Sequence, residues 1–197
     1  MGHPHTDRVV HYLESSRDAV GAALADRAFV ESVSRAAETV TETLRAGKKI
    51  LFAGNGGSAA DAQHLATELM VRFYLDRAPL PALALGTDAS AATAIGNDLG
   101  FEQLFARQVL ALGQPGDAFI GLSTSGRSPN ILAACKAARE RGMAVIGFTG
   151  AKGDELAALC DLVVRVPSDS TPLIQQVHMA AGHIVCEIAE EMLAKGR

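Results

Sequence analysis

The amino-acid sequence predicts an α/β fold in which a five-stranded parallel sheet is flanked by helices, with a helical extension at the N-terminus. Two observations support this prediction. Short, almost uninterrupted apolar runs alternate with longer segments of helical periodicity, as in sheets that are covered on both faces. Segments rich in glycine and serine follow the first and third runs, where open parallel sheets bind ligands. The length of 197 residues fits a single domain over residues 1–197.

The N-terminal helices occupy residues 1–46 in this prediction, and the α/β core occupies residues 47–197. Apolar residues recur at helical spacing from about Thr6 to Ala46, with a break near Asp26, so two helices are expected. Gly47 is expected to end the second of them.

The core is expected to contain five strands and a long final helix. The strands are predicted at Ile50–Ala53, Leu83–Leu85, Ala118–Leu122, Ala144–Phe148 and Leu162–Val166, and the last helix from about Pro172 to Ala194. Ser58 with Asp61 resembles a capping box, and Ser128 and Thr171 each precede a proline, so these three hydroxyl residues are expected to cap helices.

Composition and charge exclude several classes of protein. The formal net charge is −4 and no run of Lys or Arg occurs, which argues against direct binding of nucleic acid. The sequence contains neither an apolar stretch long enough to cross a membrane nor the apolar core of a signal peptide at its start. We therefore expect a cytoplasmic protein. Cys135, Cys160 and Cys186 lie among apolar neighbours and are expected to be buried thiols.

The most informative stretch is Ala53–Asp61, which joins the first strand directly to a helix. Its glycines let a ligand approach the backbone closely, and the free N–H groups of a helix start attract anions. The sequence does not fit the dinucleotide pattern G-x-G-x-x-G, because Ala59 or Ala60 stands where the last glycine would be.

A second anion site is predicted where the third strand ends, at Ser123–Ser128. Four hydroxyl residues in six positions, followed by a helix that begins at Pro129, favour a phosphate dianion. The alternative is an ordinary turn in which Ser128 only caps the helix. The P-loop pattern is absent, so a nucleotide is not expected at this site.

Two helices carry candidate acid/base or metal-binding side chains. His64 and Glu68 share one face of the helix after the glycine-rich turn, although a solvated helix edge would show the same pair. The last helix adds Gln175 and His183, and the four side chains together offer a donor set that zinc accepts. Gln175 and His183 are separated by roughly 12 Å along the helix and about 80° around it. We therefore expect at least one ligand from a neighbouring subunit.

At these residues the chain resembles the sugar isomerase (SIS) family, and within it the phosphoheptose isomerases. The resemblance extends over nearly the whole chain. The matching motifs are Gly54–His64, Thr93–Asp98, Ser123–Asn130, and Gln175 with His183.

The resemblance implies a flavodoxin-like, doubly wound SIS fold and an aldose-ketose isomerase. The implied reaction converts D-sedoheptulose 7-phosphate to D-glycero-D-manno-heptose 7-phosphate in bacterial heptose biosynthesis. It also implies a homotetramer with one Zn²⁺ per active site, bound by His64, Glu68, Gln175 and His183. The implied substrate contacts are Asn55, Gly56, Gly57, Glu68, Asn97, Asp98, Ser123, Thr124, Ser125, Ser128 and Gln175.

Moving a carbonyl between two carbons requires a base, an acid and stabilisation of the enediolate between them. Glu68 and His183 are the predicted catalytic pair, with Glu68 as the base on one carbon. Asp61 and Asp98 are reserve candidates for proton transfer, although Asp61 is expected mainly to cap its helix. His178 is expected to pack or hydrogen-bond rather than to bind metal.

Two other functions are compatible with parts of this pattern. One is a non-catalytic SIS-domain binding protein, which associates with the replication initiator or senses a sugar phosphate. The presence of both Glu68 and His183 favours an enzyme over that alternative. The other is an isomerase for a different sugar phosphate, because no residue was identified that reads the distal hydroxyl groups of the sugar.

Overall fold

The computed structural model describes residues 3–195, which contain five strands and eight α-helices. The helices are α1 (Thr6–Ala25), α2 (Arg27–Arg45), α3 (Gly57–Met70), α4 (Ala89–Asp98), α5 (Leu104–Leu112), α6 (Pro129–Glu140), α7 (Asp154–Ala157) and α8 (Thr171–Ala194). The strands are β1 (Ile50–Gly54), β2 (Ala82–Ala84), β3 (Ala118–Leu122), β4 (Ala144–Thr149) and β5 (Leu162–Arg165). A 3-10 turn at Phe101–Gln103 precedes α5.

The five strands form one parallel sheet in the order β2-β1-β3-β4-β5, which confirms the predicted fold class. The chain moves outward from β1 in one direction to β2 and in the other direction through β3 to β5. The neighbouring strands β1 and β3, with Gly54 paired to Leu122, therefore form the topological switch point of the sheet. The loops that follow their carboxyl ends lead in opposite directions. Ligands of open α/β sheets bind in the crevice at such a point.

Helices cover both faces of the sheet, which explains why the strands are continuously apolar. Within β1, Ile50 and Phe52 face a core with α2, α3 and α8, whereas Leu51 and Ala53 face a core with α5 and α6. This alternation places α3 and α8 together on one face, and these are the two helices that carry the predicted acid/base residues.

The boundaries of the N-terminal helices follow the predicted signals. Asp26 separates α1 from α2, and its carboxylate accepts hydrogen bonds from the N–H groups of Ala28 and Phe29. Gly47 has a φ of 70°, and the N–H of Lys48 returns to the carbonyl of Thr43 at 3.1 Å. This left-handed glycine closes α2 in the manner common to helix C-termini.

The predicted capping roles of Ser58, Ser128 and Thr171 are wrong in detail. The N-cap of α3 is Gly56, with a φ of 56°, so Ser58 already lies inside the helix. Ser128 occupies the N-cap position of α6, but its hydroxyl makes no capping hydrogen bond. The N-cap of α8 is Ser170, one residue before the prediction, also without a side-chain bond. The hydroxyls of Ser58 at α3 and Ser128 at α6 instead hydrogen-bond to the side chains of Gln175 and Ser123.

Cys135 and Cys186 are buried and Cys160 is half-buried, and all three are free thiols. Burial raises the pKa of Cys186 to about 12, so this thiol is a packing group at neutral pH. Among residues 3–195, no helix combines the length and the apolar character that a membrane-spanning helix needs.

Candidate active site

The turn between β1 and α3, residues 54–57, leaves no room for side chains at Gly54 and Gly57. A side chain at Gly54 would lie 2.3 Å from the carbonyl oxygen of Ser58, and one at Gly57 would lie 2.5 Å from the amide nitrogen of Gln175. Gly56 adopts a positive φ that other residues rarely tolerate. This glycine turn therefore exposes the start of α3, and the side chain of Gln175 lies against it.

The serine loop, residues 123–128, lies beside the glycine turn. Asn55 and Asn130 join the two segments, because each side-chain amide donates to the other's oxygen at 2.8 Å. The hydroxyls of Ser123 and Ser128 lie 3.0 Å apart, and that of Ser125 accepts from the N–H of Arg127 at 3.2 Å. Hydroxyls and backbone N–H groups thus gather at the N-terminus of α6, an arrangement suited to an anion.

Three of the four predicted metal ligands converge within one chain. Nε2 of His183 lies 3.1 Å from Nε2 of His64, and the latter atom lies 2.9 Å from a carboxylate oxygen of Glu68. The ligand atoms of all three side chains lie within 4.8 Å of one another. Two imidazole nitrogens facing each other at this distance cannot both present a lone pair unless a proton or a cation lies between them. The donor set therefore fits a cation.

The other predicted site residues make different contacts. The amide nitrogen of Gln175 lies 3.5 Å from the hydroxyl of Ser58, at the first turn of α3. Asn97 and Asp98 are exposed at the end of α4 and hydrogen-bond to each other at 2.7 Å. In the part of the chain that the structure describes, neither hydrogen-bonds to the glycine turn or the serine loop.

Asp61 does not cap α3, contrary to the prediction. Its side chain is half-buried, and within residues 3–195 its Oδ2 atom has no hydrogen-bond partner. Burial raises the pKa of Asp61, while the neighbouring His64 acts in the opposite direction. The carboxyl group is thus a buried polar group on the face of α3 that leads to His64.

His178 is a buried hydrogen-bonding residue, as predicted. Its Nε2 lies 3.2 Å from the carbonyl oxygen of Thr149, and its ring packs edge-on against Phe148. Burial lowers the pKa of His178 to about 4, against a smaller effect of the bond to Thr149. The ring is neutral at physiological pH and ties α8 to the end of β4.

Four residues near the site were not assigned roles from the sequence: Asn130, Phe73, Arg77 and Glu190. Phe73 packs on the ring of His183, with centroids 5.5 Å apart. Glu190 is buried and accepts hydrogen bonds from Arg77 and from the turn after α3. The signal for Glu190 was its place seven residues after His183, which puts both on one helix face.

A family model described as the SIS domain matches residues 11–150 of the chain, more than half of its length. A phosphoheptose isomerase of Nitratidesulfovibrio vulgaris is 54% identical over 176 residues, which is 88% of this chain and 85% of that protein. The chain belongs to the phosphoheptose isomerases of the SIS family. A second member, from Burkholderia pseudomallei, is 50% identical over 94% of both chains.

The fold agrees with that of solved phosphoheptose isomerases. The structure of phosphoheptose isomerase GmhA from Neisseria gonorrhoeae has a TM-score of 0.88 and 43% identity, and the match covers 94% of this chain and 98% of that one. The agreement extends over nearly the full length of both chains.

Proposed function

We propose that this chain is an aldose-ketose isomerase that converts D-sedoheptulose 7-phosphate to D-glycero-D-manno-heptose 7-phosphate. The observation that carries the proposal is the convergence of Glu68 with His64 and His183 within 4.8 Å, with Glu68 and His64 on the helix that follows the glycine turn. Relatives that are 50% or more identical over most of the chain carry the name of this enzyme.

The chain's own side chains account for the two tasks of the reaction. The serine loop and the start of α6 hold the phosphate, which fixes the position of the sugar chain. Glu68 removes a proton from one of the two carbons between which the carbonyl moves, and His183 acts as the acid that returns one. The side chain of Glu68 is only 21% exposed, so the proton transfer takes place largely away from bulk water.

The cluster of His64, Glu68 and His183 would hold a zinc ion, because zinc is commonly bound by imidazole nitrogen and carboxylate oxygen. When bound, zinc would polarise the carbonyl and hydroxyl oxygens of the sugar. A lone pair cannot hold a cation and a proton at once, so the acid function of His183 and its function as a ligand exclude each other at the same nitrogen.

We further propose that the enzyme is a cytoplasmic homotetramer whose active sites include residues of neighbouring subunits. At least one ligand of the proposed set comes from a neighbouring subunit in this proposal, because Gln175 and His183 are separated by roughly 12 Å along α8. The apolar side chains that α1 leaves exposed support association, and they include Val9, Val10, Leu13, Val20 and Leu24.

The test is turnover of D-sedoheptulose 7-phosphate by the purified protein, with and without a chelator, followed by hydrogen exchange at C1. Activity that falls on chelation and returns with zinc would support both the reaction and the metal. Activity that is unchanged by the chelator would support the isomerase reaction and show that zinc is not needed for it. Tight binding of the sugar phosphate without any turnover would contradict the enzyme and favour a non-catalytic binding protein.

A further inference from the structure

Glu190 is a buried carboxylate that binds the turn following α3. Its two oxygens accept hydrogen bonds from three consecutive backbone N–H groups, those of Phe73 at 2.9 Å, Tyr74 at 2.7 Å and Leu75 at 2.9 Å. The guanidinium of Arg77 donates a fourth bond at 2.8 Å. Burial opposes ionisation, but these donors outweigh it and lower the pKa of Glu190. Its negative charge is therefore retained in the folded protein.

Arg77 connects this carboxylate to the backbone of Glu68. Its two terminal nitrogens donate to the carbonyl oxygens of Glu68 and Leu69, each at 2.9 Å. These carbonyls lie in the last turn of α3, where helical partners are lacking. A single side chain thus fixes the end of the helix on which the proposed base is carried.

Phe73 connects the same carboxylate to His183. Its backbone N–H is held by Glu190, and its ring lies against the imidazole of His183 at a centroid distance of 5.5 Å. Glu190 itself lies two turns after His183 on α8. The carboxylate is therefore connected to Glu68 through Arg77 and to His183 through Phe73.

We propose that Glu190 and Arg77 are positioning residues for Glu68 and His183, with Phe73 as the contact through which Glu190 orients the imidazole. Because Glu68 and His183 lie on different helices, their separation depends on how α3 is held against α8. The Glu190 network ties the end of α3 to the C-terminal half of α8. This inference rests on the proposed function.

Asp117 provides a matched control for a buried, paired carboxylate. It accepts from the backbone N–H groups of Lys49 and Gln114 at 3.0 and 2.8 Å and pairs with the side chain of Lys49. Asp117 precedes β3, so it lies at the amino ends of the strands, whereas the glycine turn and the serine loop follow their carboxyl ends. Replacing either carboxylate by an amide removes the negative charge that the N–H donors and the neighbouring cation bind. Both variants should therefore lose stability.

The experiment compares Glu190→Gln with Asp117→Asn in steady-state kinetics and in the imidazole ¹⁵N NMR spectrum. We expect Glu190→Gln to lower kcat on the order of 100-fold, the effect of roughly a 1 Å misplacement, with little change in KM because the serine loop is untouched. We expect Asp117→Asn to keep kcat. Equal kcat values in the two variants, high or low, would overturn the inference.

Milder variants serve if Glu190→Gln does not fold. Phe73→Leu removes the ring that contacts His183 and should lower kcat without raising KM, whereas Phe73→Tyr keeps the ring and should restore kcat. If Phe73→Leu and Phe73→Tyr behave alike, the ring does not orient His183.

The NMR measurement separates this inference from the proposed reaction. If the wild-type protein shows no turnover, the reaction assignment fails, but the His183 signals still report the position of the ring. Signals of His183 that shift in Glu190→Gln and not in Asp117→Asn support positioning. Signals that are unchanged in both variants contradict it.

Discussion

The polar atoms of His64, Glu68 and His183 meet in one cluster, the proposed chemical centre, with ligand atoms within 4.8 Å of one another. The side chain of His64 is 52% exposed and that of Glu68 is 21% exposed, so the cluster opens on one side. His64 and Glu68 are carried by α3 and His183 by α8, so the cluster lies between these two helices. The cluster is therefore accessible to a ligand and held in a defined geometry.

Glu68→Gln and His183→Gln should each reduce turnover to background, because each removes one half of the proposed proton transfer. Binding of the sugar phosphate should remain measurable by calorimetry, since the serine loop is on a different segment. His11→Gln, on exposed α1, is the control and should keep activity. Full activity in either site variant would disprove the assignment of that residue.

Ser125→Ala should weaken binding of the sugar phosphate by about 1.5–3 kcal/mol, the value of a hydrogen bond to a charged group. Ser168→Ala is a matched control, because each serine hydroxyl accepts an N–H from two residues further on at 3.2 Å. Calorimetric titration of both variants measures the difference. The same affinity in both would show that Ser125 makes no specific contact with the phosphate.

At the level of elements, α8 organises the site. From its first turn to its last it carries Gln175 against the glycine turn, His178 against β4, His183 in the cluster and Glu190 against the turn after α3. All four residues are carried by a single helix, with His178 and Glu190 buried and Gln175 and His183 half-buried. A shift of α8 along its axis would therefore disturb the whole site at once.

The folded protein should lose about 2 kcal/mol of stability between pH 7 and pH 5 through His178 alone. Its pKa is about 4 in the folded state and 6.5 for an ordinary histidine, so the unfolded chain binds the proton first as the pH falls. The contribution is present above pH 6.5 and is lost as the pH falls towards 4.

Denaturant unfolding of the wild type and of His178→Gln at both pH values measures this effect. The glutamine amide can donate to Thr149 but does not titrate, so the variant should lose less stability on acidification. Asp61, whose raised pKa acts in the opposite direction, is present in both proteins and cancels. Equal pH dependence in the two proteins would contradict the buried neutral state of His178.

Strand positions were predictable from the sequence because each strand is an apolar run of the correct length. Every strand lies within one residue of its predicted boundaries. The helix caps at Ser58 and Ser128 were not predictable, because a hydroxyl near a helix start can bond to the backbone or to another side chain. Here Gln175, 117 positions away, is the partner of Ser58, and Ser123, five positions away, is the partner of Ser128.

At the level of the whole molecule, α1 differs from the other helices in how little of it is buried. Ala23 is its one buried residue in the described part of the chain, while Leu13 is 63% exposed and Leu24 is 75% exposed. A helix with this many exposed apolar side chains is typical of an interface between subunits.

The protein should therefore behave as a tetramer in light scattering, and Leu24→Asp should dissociate it by placing a charge on the apolar face. Loss of turnover and of bound zinc should accompany dissociation if a neighbour completes the site. Glu38→Lys, a charge change at an exposed position of α2, should leave the assembly intact. A monomeric Leu24→Asp protein with full activity and full zinc content would refute the shared active site.

The sequence by itself determined the parallel sheet, and it predicted the two anion loops and the site roles of His64, Glu68 and His183, because apolar periodicity and local motifs are local features of the chain. Only the tertiary structure brought His183 to His64 and Glu68, placed Gln175 beside Ser58 and identified Glu190 as buried among N–H donors. These relations join residues more than 100 positions apart. They depend on how α3 and α8 pack on the sheet, which no local pattern specifies.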